Sequence, residues 1–248
     1  VRMTRRLSLT AAALVLYPTL ALCQAPAPPP KHEATGEVAF VGVSGNASTN
    51  TFGVGFEDIV RPTGWVVRQR LAFVRNESDG TPNAQSFLYT PRAEKTINAR
   101  LSAFGEYQYF RDRFAGVAHR NMMAAGLSAK LVNQDRHKLA ADFGLGYLNE
   151  TRLSGDDVSS AIYSAGTNYK LKLSDTAELA DEVGVVGTFS RGEDWRVAHT
   201  IAVTAKLTDA VSLKVSNGIR FSNFPAPGFK KTDVITSVAL VAKFKGGN

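Results

Sequence analysis

Charged or amide side chains recur at alternate positions in segments whose intervening residues are apolar: Arg68, Arg70, Arg100, Glu106, Asp142, Asn168, Lys170, Glu178, Glu182, Lys206, Lys214 and Arg220. Period-two spacing puts each set on one face of a strand. If the strands curl into a closed wall with that face inward, acids and bases meet in a narrow interior. There they either pair and fill it, or line a thin aqueous path. A filled interior is the leading expectation and a selective pore the runner-up. In the pore reading Arg68, Arg70 and Arg100 form a basic stripe that favours anions.

Other reactive groups are sparse. The four histidines are His32, His119, His137 and His199. His199 falls on an apolar face beside Thr200 and Ile201, and the others lie near segment ends. No Ser sits in a nucleophile motif and no His/Asp/Glu spacing suggests a metal site, so neither a metal nor a cofactor is expected. A lipid hydrolase using Ser and His on an outer rim is therefore a distant third reading. Glu77, Asp79, Asp156, Asp157, Glu193 and Asp194 fall in connecting segments. They read as solvated loop acids, with divalent-cation binding as the sharper alternative.

The elements that must position these groups are strands. Val234, Thr236, Val238, Leu240, Ala242 and Phe244 share one face, against Asp233, Ser237 and Lys243 on the other. The same alternation, with turn residues between, predicts about 12 strands near 35–44, 49–58, 65–75, 84–94, 99–110, 118–131, 137–149, 159–171, 177–190, 195–207, 210–222 and 232–244. Short connections (61–64, 95–98, 173–176, 208–209) alternate with longer, more charged ones (76–83, 111–117, 150–158, 192–194, 223–231). Aromatics gather near both strand ends, with Phe73, Tyr107, Tyr109, Tyr147, Tyr163, Phe189, Trp195 and Phe221 toward the long loops. Trp65, Tyr169 and Phe244 lie toward the short turns. Two aromatic bands, one-sided loop length and an even strand count are the pattern of an outer-membrane barrel. A soluble β-sandwich also alternates, but its strands usually run about five or six residues. Two positions conflict with the pattern. Pro91 falls inside a strand, where a bulge is expected. Asp181 falls on the apolar face, so a register slip or bulge is expected there.

Composition agrees. The 248 residues are 44% hydrophobic, yet no run beyond the N-terminus approaches the length of a membrane helix. Arg2, Arg5 and Arg6 precede an uncharged apolar stretch, Leu7–Leu22, which reads as a signal peptide ending at Cys23. A lipoprotein signal on Cys23, the sole cysteine, is the rival. Losing those three arginines lowers the formal charge from +7 to +4. No basic cluster stands out, which argues against nucleic acid as a partner. Residues 24–33 read as a Pro-rich linker and 34–248 as the barrel domain.

Four segments carry a resemblance: Gly36–Thr51 (GEVAFVGVSGNASTNT), Arg75–Gly80 (RNESDG), Phe104–Phe114 (FGEYQYFRDRF) and Phe143–Glu150 (FGLGYLNE). Together they resemble the salt-induced, YdiY-like outer-membrane protein family, a β-barrel domain of unknown function. The likeness spans about Gly36 to Phe244. It implies a barrel in the outer membrane with a stress-related role, and no catalytic residues. The expected fold is thus an all-β, antiparallel, up-and-down transmembrane β-barrel of about 12 strands. Its expected partners are outer-membrane lipid, lipopolysaccharide and the barrel-assembly machinery during insertion.

Overall fold

The computed structural model describes residues 30–43 and 49–246. Twelve strands follow one another: β1 (His32–Val43), β2 (Thr49–Val60), β3 (Trp65–Ser78), β4 (Thr81–Thr96), β5 (Leu101–Asp112), β6 (Val117–Asn133), β7 (His137–Arg152), β8 (Val158–Lys172), β9 (Ala177–Thr188), β10 (Trp195–Lys206), β11 (Val211–Ser222) and β12 (Thr232–Gly246). Each pairs antiparallel with the next, and β12 closes on β1 with Glu37 opposite Val241. Closure leaves no edge, so every strand's polar backbone has a neighbour; a sheet can cross lipid only on that condition.

The side chains divide as lipid demands. The outer wall exposes Met123, Leu127, Phe143, Leu145, Tyr147, Val203, Val215, Val238, Leu240 and Phe244, with Met123 and Phe244 each 64% exposed. In water such a surface would associate; in a bilayer it is the solvated face. The aromatics pair near the rims: Trp195 with Phe221 at 5.1 Å and Tyr163 with Phe189 at 5.6 Å on the long-loop side, and His137 with Tyr169 at 6.2 Å on the other.

Some expectations fall outside the described residues, and others differ from the structure. Signal residues 1–23 lie outside the described residues, as do linker residues 24–29 and the Ser44–Asn46 motif. His32 and Glu33, assigned to the linker, open β1. Pro91 produces no bulge: Tyr89 faces Tyr109 and Arg92 faces Glu106 in one unbroken register, and the β4–β5 ladder simply skips Thr90 and Pro91. Asp181 is not re-aimed either, because β9 pairs with β8 and β10 without a register shift. The long loop expected over 76–83 is a hairpin turn on extended strands. Asp79 and Gly80 carry φ of 51° and 77°, the left-handed pair that matches strand twist.

Candidate functional site

The lumen holds three layers of side chains, described from the short-turn end outward. In the inner layer Arg70 of β3 donates to Glu57 of the adjacent β2 (3.1 Å) and to Glu182 of β9 (3.0 Å). In a ring of twelve strands, β3 and β9 stand on opposite walls. This pair therefore crosses the lumen. Asn168 of β8 donates to the other Glu182 oxygen at 2.9 Å and fixes the carboxylate's orientation. Beside it, Arg92 bonds Glu94 at 2.7 Å and reaches Glu106 at 3.4 Å and Asp142 of β7 at 3.1 Å. Its guanidinium lies 3.9 Å from the Phe104 ring centre. Lys214 of β11 donates to Glu37 of β1 at 2.8 Å.

The middle layer is apolar. Met122, Leu148 and Ile162 turn inward from β6, β7 and β8 and pack with Val158 and Val186. Leu148 and Ile162 are 1% and 0% exposed. Residues of this size on inward positions narrow the lumen along the β6–β9 wall, where a water-filled channel would carry small or polar groups.

The outer layer is ionic again. Glu150, 2% exposed, receives Arg120 (2.5 Å), Arg152 (2.7 Å) and Arg196 (3.3 Å). Asp194 completes the cluster, 3.1 Å from Arg196 and 3.7 Å from Arg152. A second cross-lumen contact runs from Arg220 of β11 to Asp112 of β5, 3.7 Å apart and again on opposite walls. Asp112 also accepts the Phe114 and Ala115 backbone N–H groups, both at 3.1 Å, and so caps the one-turn 3-10 helix Arg113–Ala115.

Over this layer lies the β11–β12 loop, residues 223–231. It is tied down, not free. Arg152 donates to the Phe224 carbonyl at 3.1 Å, Ser154 donates to the Pro227 carbonyl at 2.5 Å, and the guanidinium of Arg191 stacks on the Phe224 ring at 4.2 Å. Ala226 is buried beneath. Gly116, at φ 79°, lets the loop sit close: a Cβ there would lie 2.7 Å from the Phe229 ring and 2.8 Å from the Ala226 Cβ. A Gly116→Ala protein should therefore hold the loop less well. The left-handed backbone alone costs a side chain about 1–2 kcal/mol, roughly tenfold in the open population. Trypsin cutting after exposed Lys230 or Lys231 reads that population. Equal cutting of parent and variant would show that this contact does not hold the loop.

The residues singled out from sequence sort as follows. Arg68, Arg70, Glu106, Asp142, Asn168, Glu182, Lys214 and Arg220 face the lumen, with Arg68 3.7 Å from Glu57. Lys170, Glu178 and Lys206 lie on the same face but are exposed at its short-turn mouth. Lys206 bonds Asp209 at 2.5 Å and Lys172 bonds Asp175 at 2.7 Å in the turns, and these hydrogen bonds hold both carboxyls below the ordinary carboxylate range. Arg100 is the exception: it is exposed in the β4–β5 turn, outside β5, so the basic stripe of Arg68, Arg70 and Arg100 does not form. Asp194 is not a solvated loop acid but a buried member of the outer cluster. Glu77 pairs with Arg75, and Asp157 accepts the Arg152 backbone N–H at 3.0 Å. Sequence reasoning missed Glu37, Glu57, Arg92, Asp112, Arg120, Glu150, Arg152 and Arg196. Extending the inward parity of Met122 and Leu148 by one step along their strands would have found Arg120 and Glu150.

Solved structures offer comparisons. The COG4313 outer membrane channel from Pseudomonas putida F1 aligns over 88% of this chain and 96% of its own at 13% identity, with a TM-score of 0.50. The translocator domain of autotransporter NalP from Neisseria meningitidis aligns over 87% of this chain and 88% of its own, at 11% identity and a TM-score of 0.47. In sequence, the uncharacterized protein YdiY of Escherichia coli (strain K12) is 23% identical over 138 residues, 55% of this chain. The match spans about half of that relative's length, 53%. The family described as "Protein of unknown function, DUF481" matches residues 36–244. With nearly the whole barrel inside that match, the chain belongs to the DUF481 family.

Proposed function

We propose that the protein is a closed outer-membrane barrel that serves the envelope structurally and does not act as an open channel. One observation carries the reading: the Arg70–Glu182 ion pair joins opposite walls across the lumen at 3.0 Å. The apolar middle layer and the tethered outer loop support it. The outer-membrane location is supported by the apolar outer wall, the aromatic rims and the kinship in fold with outer-membrane barrels. A role under salt or osmotic stress rests on the family resemblance. Lipid solvates the outer wall, with lipopolysaccharide at the long-loop rim. A lipid-hydrolase role finds little support: His199 bonds Asp181 at 2.9 Å rather than a serine hydroxyl.

A second reading, a narrow small-solute path, has its own observation. Ala198 and Thr200 take the inward register positions opposite Gly184 and Glu182, yet both are exposed. Water therefore reaches part of the β9–β11 side of the interior. Purified protein in planar bilayers separates the two. The closed barrel is expected to show no steady conductance in either polarity. A stable unitary conductance in the unmodified protein would overturn the closed reading and establish the path.

A further inference from the structure

The outer wall of β9–β12 carries polar side chains where lipid should be. Asp181 lies four residues into β9 from its short-turn end, and His199 four residues into β10 from its long-loop end. They meet at 2.9 Å near the middle of that hairpin, both half-buried. On the next two strands Asn217 donates to Thr236 at 2.9 Å. Asp181 and Asn217 flank Ile201 directly in the register. Four consecutive strands thus present a carboxylate, an imidazole, an amide and a hydroxyl at mid-wall. Other outward polar pairs that include a histidine lie nearer the rims, His32 with Asp58 and His137 with Tyr169 at the short-turn end and Tyr109 with His119 at the other, while the mid-wall pairs Tyr89–Gln69 and Tyr107–Asn121 hold neither a carboxylate nor an imidazole.

A titratable residue facing hydrocarbon is costly, and such groups normally face a protein neighbour or water. Here no bulge turns Asp181 away. Its cost is lowered by His199, but the pair and the Asn217–Thr236 pair still present spare donors and acceptors to the bilayer. We propose that this face of β9–β12 is covered by a second copy of the same chain. The complementarity is internal: the stripe holds an acid beside a base and an amide beside a hydroxyl. A two-fold axis along the membrane normal through the middle of this face sets β9 against the other copy's β12 and β10 against its β11, so the carboxylate meets a hydroxyl and the imidazole an amide, in the isologous manner of symmetric dimers. Interhelical polar contacts glue membrane helices on the same principle. The wall next to it is also concave. A groove of about 550 Å³ opens where Gly36 leaves a gap among Val38, Val54, Phe56, Leu240 and Val211, which gives a partner's apolar side chain a seat.

Disulfide trapping tests this in vesicles of phosphatidylethanolamine and phosphatidylglycerol that contain only the purified protein. In a Cys23→Ser chain, Ile201→Cys places a thiol at the centre of the stripe, and Leu127→Cys places one on β6 as the control. Mild oxidation is expected to give a dimer band for position 201 and none for 127. Asp181→Leu/His199→Leu in the Ile201→Cys chain should lose that band. Because leucine suits the lipid face, this variant should keep the heat-modifiable gel shift of a folded barrel. No dimer at 201, equal dimer at both positions, or a dimer that survives the leucine pair while the barrel stays folded would each overturn the proposal. None of these outcomes depends on whether the lumen conducts.

Discussion

Removing both closures of the lumen at once should turn a silent barrel into a conducting one, whereas removing either alone should not. The inner closure is the Arg70–Glu182 contact, which Arg70→Ala/Glu182→Ala removes. The outer closure is the Arg220–Asp112 contact beneath the β11–β12 loop; Arg220→Ala with residues 224–230 replaced by a Gly-Ser turn removes it. Barriers in series each limit the current, so the two half-variants stay silent and only their combination conducts. The combination takes two positive charges and one negative from the interior. Glu57, Asp112 and Asp233 then line the path with fewer bases to offset them, so potassium should pass in preference to chloride. Reversal potentials in a salt gradient across a planar bilayer read this directly. If Arg70→Ala/Glu182→Ala conducts by itself, the outer layer is no barrier. If the combination remains silent, the ionic contacts are not what closes the lumen.

The parts of this arrangement that were legible in sequence are those that lipid enforces locally. Each strand must turn its apolar set outward, so period-two alternation survives in every segment. That is why the strand count and the inward facing of Arg70, Glu182 and Arg220 follow from spacing alone. The mistakes have equally local causes. Alternation that starts at residue 99 puts Arg100 in a strand. In fact the Ile97 and Asn98 backbone N–H groups bond the Leu101 carbonyl, and the Asn98 side chain accepts from Arg100 and Leu101. That turn delays β5 by two residues. Glu150, Arg152 and Asp194 sit beside Gly- and Asp-rich stretches, which makes them look like solvated loop charges. Their burial depends on the β11–β12 loop folding over them, a contact that spans 72 residues from Arg152 to Phe224. The partners of the lumen charges were unreadable for the same reason. Arg70 and Glu182 are 112 positions apart, and periodicity gives a face without saying which residue stands across it.

Glu150→Ala should be the most damaging single substitution in the barrel. The carboxylate is the common acceptor for Arg120, Arg152 and Arg196, and Arg152 is as buried as Glu150 itself, each side chain being 2% exposed. Taking the acid away leaves three confined guanidiniums facing one another, with only Asp194 to offset them. Stranding a buried partner in this way costs about 3–5 kcal/mol, far more than an exposed pair contributes. The loss should appear as a lower urea midpoint for conversion of the compact gel band to the unfolded one. Glu150→Gln keeps the shape and one acceptor oxygen but not the charge, so it should fall between parent and alanine variant. Asp209→Asn, which removes the charge of a fully exposed turn carboxylate paired with Lys206, should leave the midpoint where it was. Arg152 also holds the Phe224 carbonyl, and once its own anchor is gone that grip should slacken. Glu150→Ala should therefore speed tryptic cutting at Lys230 and Lys231 at urea concentrations well below the midpoint. Were Glu150→Ala no less stable than Asp209→Asn, the outer cluster would be solvated in the membrane-bound protein, and the outer end of the lumen would be open.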